Sequence, residues 1–175
     1  MVFALPWALI AGFGRFGGMF SLGAQALATA PGLPGDYLRI AFYKLTLEQC
    51  SLKSRISFGS FFAHPSAVIG QAVYIGSYCV LGSCRIGDRT QIASHVQILS
   101  GRRQHARDAS GHIAGASESE FQTIDIGPDC WIGASAMVMA PVGARTTIGA
   151  GAVVVHPVED GVVVVGNPAR ALTKV

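Results

Sequence analysis

The pairs Ile69-Gly70, Ile75-Gly76, Leu81-Gly82, Ile86-Gly87 and Ile92-Ala93, followed later by Ile126-Gly127, Ile132-Gly133 and Ile148-Gly149, place a branched aliphatic beside Gly or Ala at close to every sixth residue. That recurrence is the mark of a solenoid built from very short strands. No single unit buries its aliphatic alone, so successive coils must stack and join the Ile and Leu side chains into one internal column. The Gly or Ala beside each aliphatic suits a corner where backbone passes tightly or takes positive φ. Four residues after the aliphatic stands a small or β-branched residue, as at Val73, Cys79, Thr90, Val96, Cys130, Ala136, Thr146 and Ala152. These are expected at a narrow, half-buried strand edge.

Composition narrows the partners. One domain is expected of 175 residues. Half of them are hydrophobic and 13% charged, an apolar balance that oligomerisation would partly hide. A net charge of +3, carried by scattered Lys and Arg, argues against nucleic acid. The four cysteines, Cys50, Cys79, Cys84 and Cys130, form no CxxC pair and are read as reduced thiols of a cytoplasmic protein.

Residues 1–30 carry a single charge, Arg15, with five glycines and Pro6. No Lys or Arg precedes the apolar run, so a cleaved signal peptide is not expected. The segment is expected either to pack on the solenoid end or a neighbouring subunit, or to touch the inner face of the plasma membrane. Pro31-Gly32-Leu33-Pro34-Gly35 then punctuates the chain. Asp36 is the expected cap of a helix running to about Leu47, with Leu38, Phe42 and Leu45 on one face and Arg39 on another. Residues 1–55 form the expected cap, and residues 56–175 the solenoid, with degenerate first coils in which Phe58 and Phe61 supply bulk. The repeat stops at Ser100 and resumes at Ile124, so residues 101–123 are expected to project as a loop from one corner.

The repeat resembles the hexapeptide-repeat acyltransferases. The resemblance implies a left-handed parallel β-helix with three hexapeptides per triangular coil, a hand that general crossover rules would not supply. Asp129-Cys130-Trp131-Ile132-Gly133, Ile148-Gly149-Ala150-Gly151-Ala152-Val153-Val154 and Gly166-Asn167-Pro168-Ala169-Arg170 resemble the sugar and xenobiotic O-acetyltransferase branch, which includes galactoside, maltose and nodulation-factor enzymes. It spans roughly residues 56–172. The N-terminal region is more loosely similar to polysaccharide-cluster members.

Acetyl transfer requires an acceptor hydroxyl to lose its proton as it attacks a thioester, and a neutral imidazole accepts that proton near neutral pH. The resemblance implies a His just beyond the strand Val96-Gln97-Ile98-Leu99. His105 is the match, with His112 as the alternative deeper in the loop. His95 is read as a solvent-facing or packed coil residue. Arg102, Arg103 and Arg107 flank His105, either as a solvated basic loop or as a hold for an acidic sugar or phosphate. Asp108 either orients His105 or caps a turn.

The resemblance further implies acetyl-CoA lying between subunits of a homotrimer. Trp131 would be a flat wall near the thioester, with the pantetheine arm along Gly133, Ala134, Gly149, Ala150 and Gly151. Asn167 belongs to the closing motif, and Arg170, with Lys174, would meet nucleotide phosphate. No metal is implied. The expected activity is acetyl-CoA-dependent O-acetylation of a sugar or polysaccharide precursor. An antibiotic O-acetyltransferase, an amino-sugar N-acetyltransferase and a non-catalytic β-helix scaffold remain as alternatives.

Overall fold

A computed structural model describes residues 1–102, 105–115 and 121–172. The chain is a parallel β-solenoid of about six turns capped by helices, matching the left-handed β-helix expected of the repeat. Its first face stacks the strands Gln49–Cys50, Val68–Ile69, Cys84–Ile86 and Ile124–Ile126, and bridges at Val142 and Val158 continue it. The second face stacks Arg55–Ile56, Tyr74–Ile75, Gln91–Ile92, Trp131–Ile132, Thr147–Ile148 and Val163–Val165, then folds Arg170–Ala171 back antiparallel. The third stacks Phe61–Phe62, Val80–Leu81, Gln97–Ile98, Met137–Val138 and Val153–Val154.

Each two-residue strand turns one side chain in, and the parallel register places these in columns. Ile56, Ile75, Ile92, Ile132, Ile148 and Val164 stack on the second face. All six are buried. Phe62, not Phe61, fills the first coil, because Phe61 faces outward. Inward residues follow one another at intervals of six along the first two faces of every coil. The third-to-first corner is different: the interval is seven from Phe62 to Ile69, five from Leu81 to Ile86, four from Val138 to Val142, and twenty-eight across the loop from Ile98 to Ile126.

The two residue types beside the columns have separate tasks. Positive φ falls three residues after the aliphatic, at Tyr78, Arg89, His95, Asp129, Ser135, Arg145 and Gly151, and not at the glycine next to it. That glycine serves close approach instead: a Cβ on Gly133 would meet the Ala150 nitrogen at 2.5 Å. The small residues at the fourth position are fully buried, contrary to the half-buried edge expected. Burial lets them stitch coils together. Thr90 Oγ1 donates to the Gly127 carbonyl at 2.8 Å and Thr146 Oγ1 to the Glu159 carbonyl at 2.8 Å. Cys130 Sγ lies 3.0 Å from the Gly143 carbonyl. Their side-chain donors therefore have partners inside the column.

The cap consists of α1 (Leu5–Ile10), α2 (Gly17–Ala28) and α3 (Gly32–Thr46). Pro31, not Asp36, precedes the first turn of α3. Asp36 lies inside the helix and is paired with Arg39, which is 0% exposed. Arg39 thus belongs to the buried face with Phe42 and Tyr43, while Leu38 and Leu45 are only partly covered. Its guanidinium donates to the carbonyls of Leu27, Ala30 and Ile56 at 3.0, 2.7 and 2.9 Å. Asp36 also accepts from Arg55 Nε at 2.7 Å. One buried cation thereby joins the end of α2, α3 and the first coil, and each of its three guanidinium nitrogens finds an acceptor. Tyr43 completes the plug: its ring meets Phe62 edge-on at 5.1 Å, and its hydroxyl accepts the Phe62 N–H at 3.1 Å. Burial pushes that hydroxyl well above the ordinary tyrosine range.

Candidate active site

The projecting loop leaves at the third-to-first corner and returns through Gln122, whose N–H donates to the Ser100 carbonyl at 3.0 Å. Within it residues 105–114 fold back as a hairpin. Arg107 and Ile113 form an antiparallel bridge, the Ala114 N–H donates to Ala106 at 2.9 Å, and the Asp108 N–H donates to His112 at 3.0 Å. Asp108 caps the tip by accepting the N–H groups of Ser110 and His112 at 2.8 and 3.0 Å. Arg107 donates to the Gly111 carbonyl at 2.7 Å. Of the two roles open to Asp108, the turn is the one formed.

His105 stands at the base of this hairpin. Its Nδ1 lies 3.2 Å from the Ala114 carbonyl oxygen. A carbonyl only accepts, so Nδ1 carries the proton and the neutral ring keeps its lone pair on Nε2. The side chain is exposed, with Nε2 free to meet an acceptor. His112 sits at the tip with Nδ1 3.6 Å from Asp108 Oδ2, and its side chain is 82% exposed. Arg102 is exposed at the root of the loop. Arg103 and Lys174 lie outside the described residues.

The residues expected to meet coenzyme A occupy another part of the triangle. Gly133 and Ala134 form the second-to-third corner of one coil, and Gly149, Ala150 and Gly151 form it in the next, joined by the Gly151 N–H donating to Ala134 at 2.8 Å. Ala134, Ala150 and Gly151 are exposed, and a Cβ on Gly151 would meet nothing within 4 Å. Gly133 is buried and Gly149 lies against Val165. Trp131 stands out from the second face, 60% exposed, beside Gln91 and Thr147. Asn167 precedes a cis Pro168 in the exposed return to the last strand. Arg170, in that strand, donates to its own neighbour's carbonyl at Ala169 at 2.9 Å. It also lines a recess of about 350 Å³ with His156, Val164 and Ala169. Across one chain, then, the third face separates the root of the His105 loop from the small-residue corner.

One feature at that corner escaped the sequence reading. Tyr78 and His95 stack with centroids 5.3 Å apart and planes 19° apart, and Phe58 meets Tyr78 edge-on at 5.5 Å. His95 is the solvent-facing coil residue expected, with its ring stacked on Tyr78. The half-buried Phe58 and the exposed Tyr78 and His95 form a ladder at the corner that continues through Ser135 to Gly151. Their spacing of about one coil is the signal that could have revealed them.

Residues 66–100 match the family model of the bacterial transferase hexapeptide (six repeats). A serine acetyltransferase from Mycobacterium tuberculosis is 34% identical over 111 residues, 62% of this chain and 44% of that protein. The chain spans less than half the length of the curated relatives it matches. Among solved structures, a hexapeptide-repeat-containing acetyltransferase from Vibrio cholerae superposes with a TM-score of 0.71 at 22% identity, covering 95% of this chain and 93% of that one. A galactoside acetyltransferase in complex with coenzyme A gives a TM-score of 0.72 at 18% identity, covering 94% and 82%. At these identities the structural likeness establishes the fold.

Proposed function

We propose that this hexapeptide-repeat protein is an acetyl-CoA-dependent O-acetyltransferase acting on a sugar or polysaccharide precursor. The observation that carries the reading is the His105 ring, whose Nδ1 is committed to the Ala114 carbonyl so that Nε2 faces solvent as a base. The acceptor hydroxyl gives its proton to Nε2 as its oxygen attacks the thioester carbonyl. Collapse of the resulting oxyanion expels the coenzyme thiolate, which takes the proton back from the imidazolium. No covalent enzyme intermediate is needed once both substrates are held together.

Residues so far apart in one chain call for a second copy. In a homotrimer the His105 loop of one subunit would meet the Ala134, Ala150 and Gly151 corner of the next, and the pantetheine arm would run along that corner between them. Trp131 would wall the thioester, and Asn167 and Arg170 would close the nucleotide end. The exposed Tyr78 and His95 rings, stacked on each other in the same column, put aromatic surface beside that corner, which supports a carbohydrate acceptor. At the inner face of the plasma membrane such an enzyme would meet sugars carried on lipid.

Thiol release from acetyl-CoA by wild type and His105→Ala, against sugars, nucleotide sugars, oligosaccharides and chloramphenicol, tests the proposal. Acceptor-dependent release that disappears in the variant supports it. Turnover unchanged in the variant removes His105 as base, and the absence of both release and coenzyme binding favours the scaffold.

A further inference from the structure

The N-terminal helices are packed inside out. Ala4, Ala8, Ala11, Ala24 and Ala28 are buried against the rest of the cap, with Phe20 and Leu27 as the large residues among them. The bulky side chains point away: Phe3 is 82% exposed and Phe16 60%, and Leu9, Ile10, Phe13 and Leu22 are also exposed. Alanines inside and aromatic or branched residues outside reverse the usual order of burial. So much exposed apolar side chain concentrated in the first 22 residues of a folded chain marks an interaction surface.

The face is held in place. Gly12, Phe13 and Gly14 take φ of +57°, +53° and +90° in the turn between α1 and α2. A Cβ on Gly14 would strike the Thr46 carbonyl at 2.2 Å, so this turn is seated on the end of α3. A Cβ on Gly12 would strike the Phe16 ring at 2.6 Å, so the ring lies across the glycine. Positive φ at Phe13 is costly for a bulky residue, and it serves to hold the ring at the surface.

The polar groups identify the occupant. Ser21 and Gln25 bond to each other, and Thr29 bonds to the Ala26 carbonyl. Arg15 is exposed and has no ion pair among the described residues. The first carboxylate of the sequence is Asp36, buried and paired. A protein interface carries about one hydrogen bond per 100–200 Å². This surface offers a partner almost no such groups, only grease and one cation. A lipid bilayer with anionic headgroups asks for that combination: non-directional apolar insertion and attraction of positive charge. Among the described residues no helix is long and apolar enough to cross a membrane, so the mode is docking in the interface plane.

We propose that the face formed by Phe3, Leu9, Ile10, Phe13, Phe16 and Leu22, with Arg15, docks the protein on an anionic membrane surface. The surface is independent of the chemistry at His105.

Co-sedimentation of the full chain with vesicles of phosphatidylcholine alone, and of phosphatidylcholine with phosphatidylglycerol, tests it. Wild type is expected to pellet with the anionic vesicles. A Phe3→Ser, Phe13→Ser, Phe16→Ser variant should stay in the supernatant with at least tenfold less bound and an unchanged far-UV spectrum. Phe3→Ser alone, at the most exposed site, should lose a smaller part, and Arg15→Glu should lose the preference for the anionic lipid. Wild type left in the supernatant by both vesicles would overturn the proposal, as would a triple variant that binds like wild type. So would a change in solution mass without lipid in the triple variant, since that would assign the face to a second copy of the chain.

Discussion

Arg89 and Asp129, forty residues apart in sequence, meet as a bidentate pair on neighbouring coils, Nε to Oδ1 at 2.6 Å and Nη2 to Oδ2 at 2.7 Å. The long loop lies between them in sequence, so the pair closes the ladder where the chain has left it and come back. The hydrogen bond from Arg89 holds the Asp129 carboxyl below the usual carboxylate range. A folded-state value below the unfolded one stabilises above the ordinary carboxylate pKa and is lost as pH falls through the lowered value. Because both groups face solvent, salt screens the pair. Arg89→Ala should lower the melting temperature slightly at low ionic strength, and the difference from wild type should vanish in high salt and in acid. A large loss independent of salt would show that Arg89 acts through packing.

His105→Ala should cut turnover by roughly a hundredfold or more, the usual worth of a general base, with the KM for acetyl-CoA nearly unchanged. His112→Ala should be close to wild type. Steady-state kinetics of the two variants decide between the rings, and the reverse pattern would move the base to the hairpin tip.

Arg39→Met should destabilise the fold by about 3–5 kcal/mol, because it removes the buried partner of Asp36, leaving only the exposed Arg55, and unpairs carbonyls at the end of α2. Urea denaturation measures this. A double Arg39→Met, Asp36→Leu variant should recover part of the loss, since the half-compensated buried carboxylate goes with it.

Burial pushes the Cys50 and Cys84 thiols up to about 12. Both should be inert to a thiol reagent at mildly alkaline pH and react only on unfolding. The sign for stability follows from linkage: the folded thiols hold their protons where unfolded ones, near 9, release them. Their contribution is intact below about 9 and declines as pH rises toward 12. Reagent titration and alkaline melts check the two halves separately.

Ala134→Trp should leave the melting temperature near wild type, because the site is exposed, and weaken acetyl-CoA binding in calorimetry by tenfold or more. Gly133→Val, one residue away, should instead fail by stability, since its Cβ meets Ala150 backbone at 2.5 Å. Equal coenzyme affinity in Ala134→Trp would place the pantetheine arm elsewhere.

The aliphatic columns were legible because inward residues keep an interval of six along the first two faces of each coil, and periodicity is a property of sequence alone. Arg39 was not, because a charge becomes an interior residue only through partners on α2, α3 and the first coil, which no local pattern brings together. Asp36 misled for the same reason: its carboxylate serves Arg39 and Arg55 instead of a helix end. The hairpin carrying His105 has no alternating pattern, so the residue could be picked by resemblance while the carbonyl that fixes its tautomer could not. The Tyr78 and His95 stack joins residues on different coils and becomes visible only when the coils are superposed.

Only at the third-to-first corner does the chain change length from coil to coil, yet Ile86 still meets Ile126 and Ile98 still meets Val138 on either side of the long excursion. That corner works as a socket. Segments of different size fit there without repacking a single core side chain, so the piece that carries His105 can be lengthened, trimmed or replaced while the stacked body beneath it keeps its register.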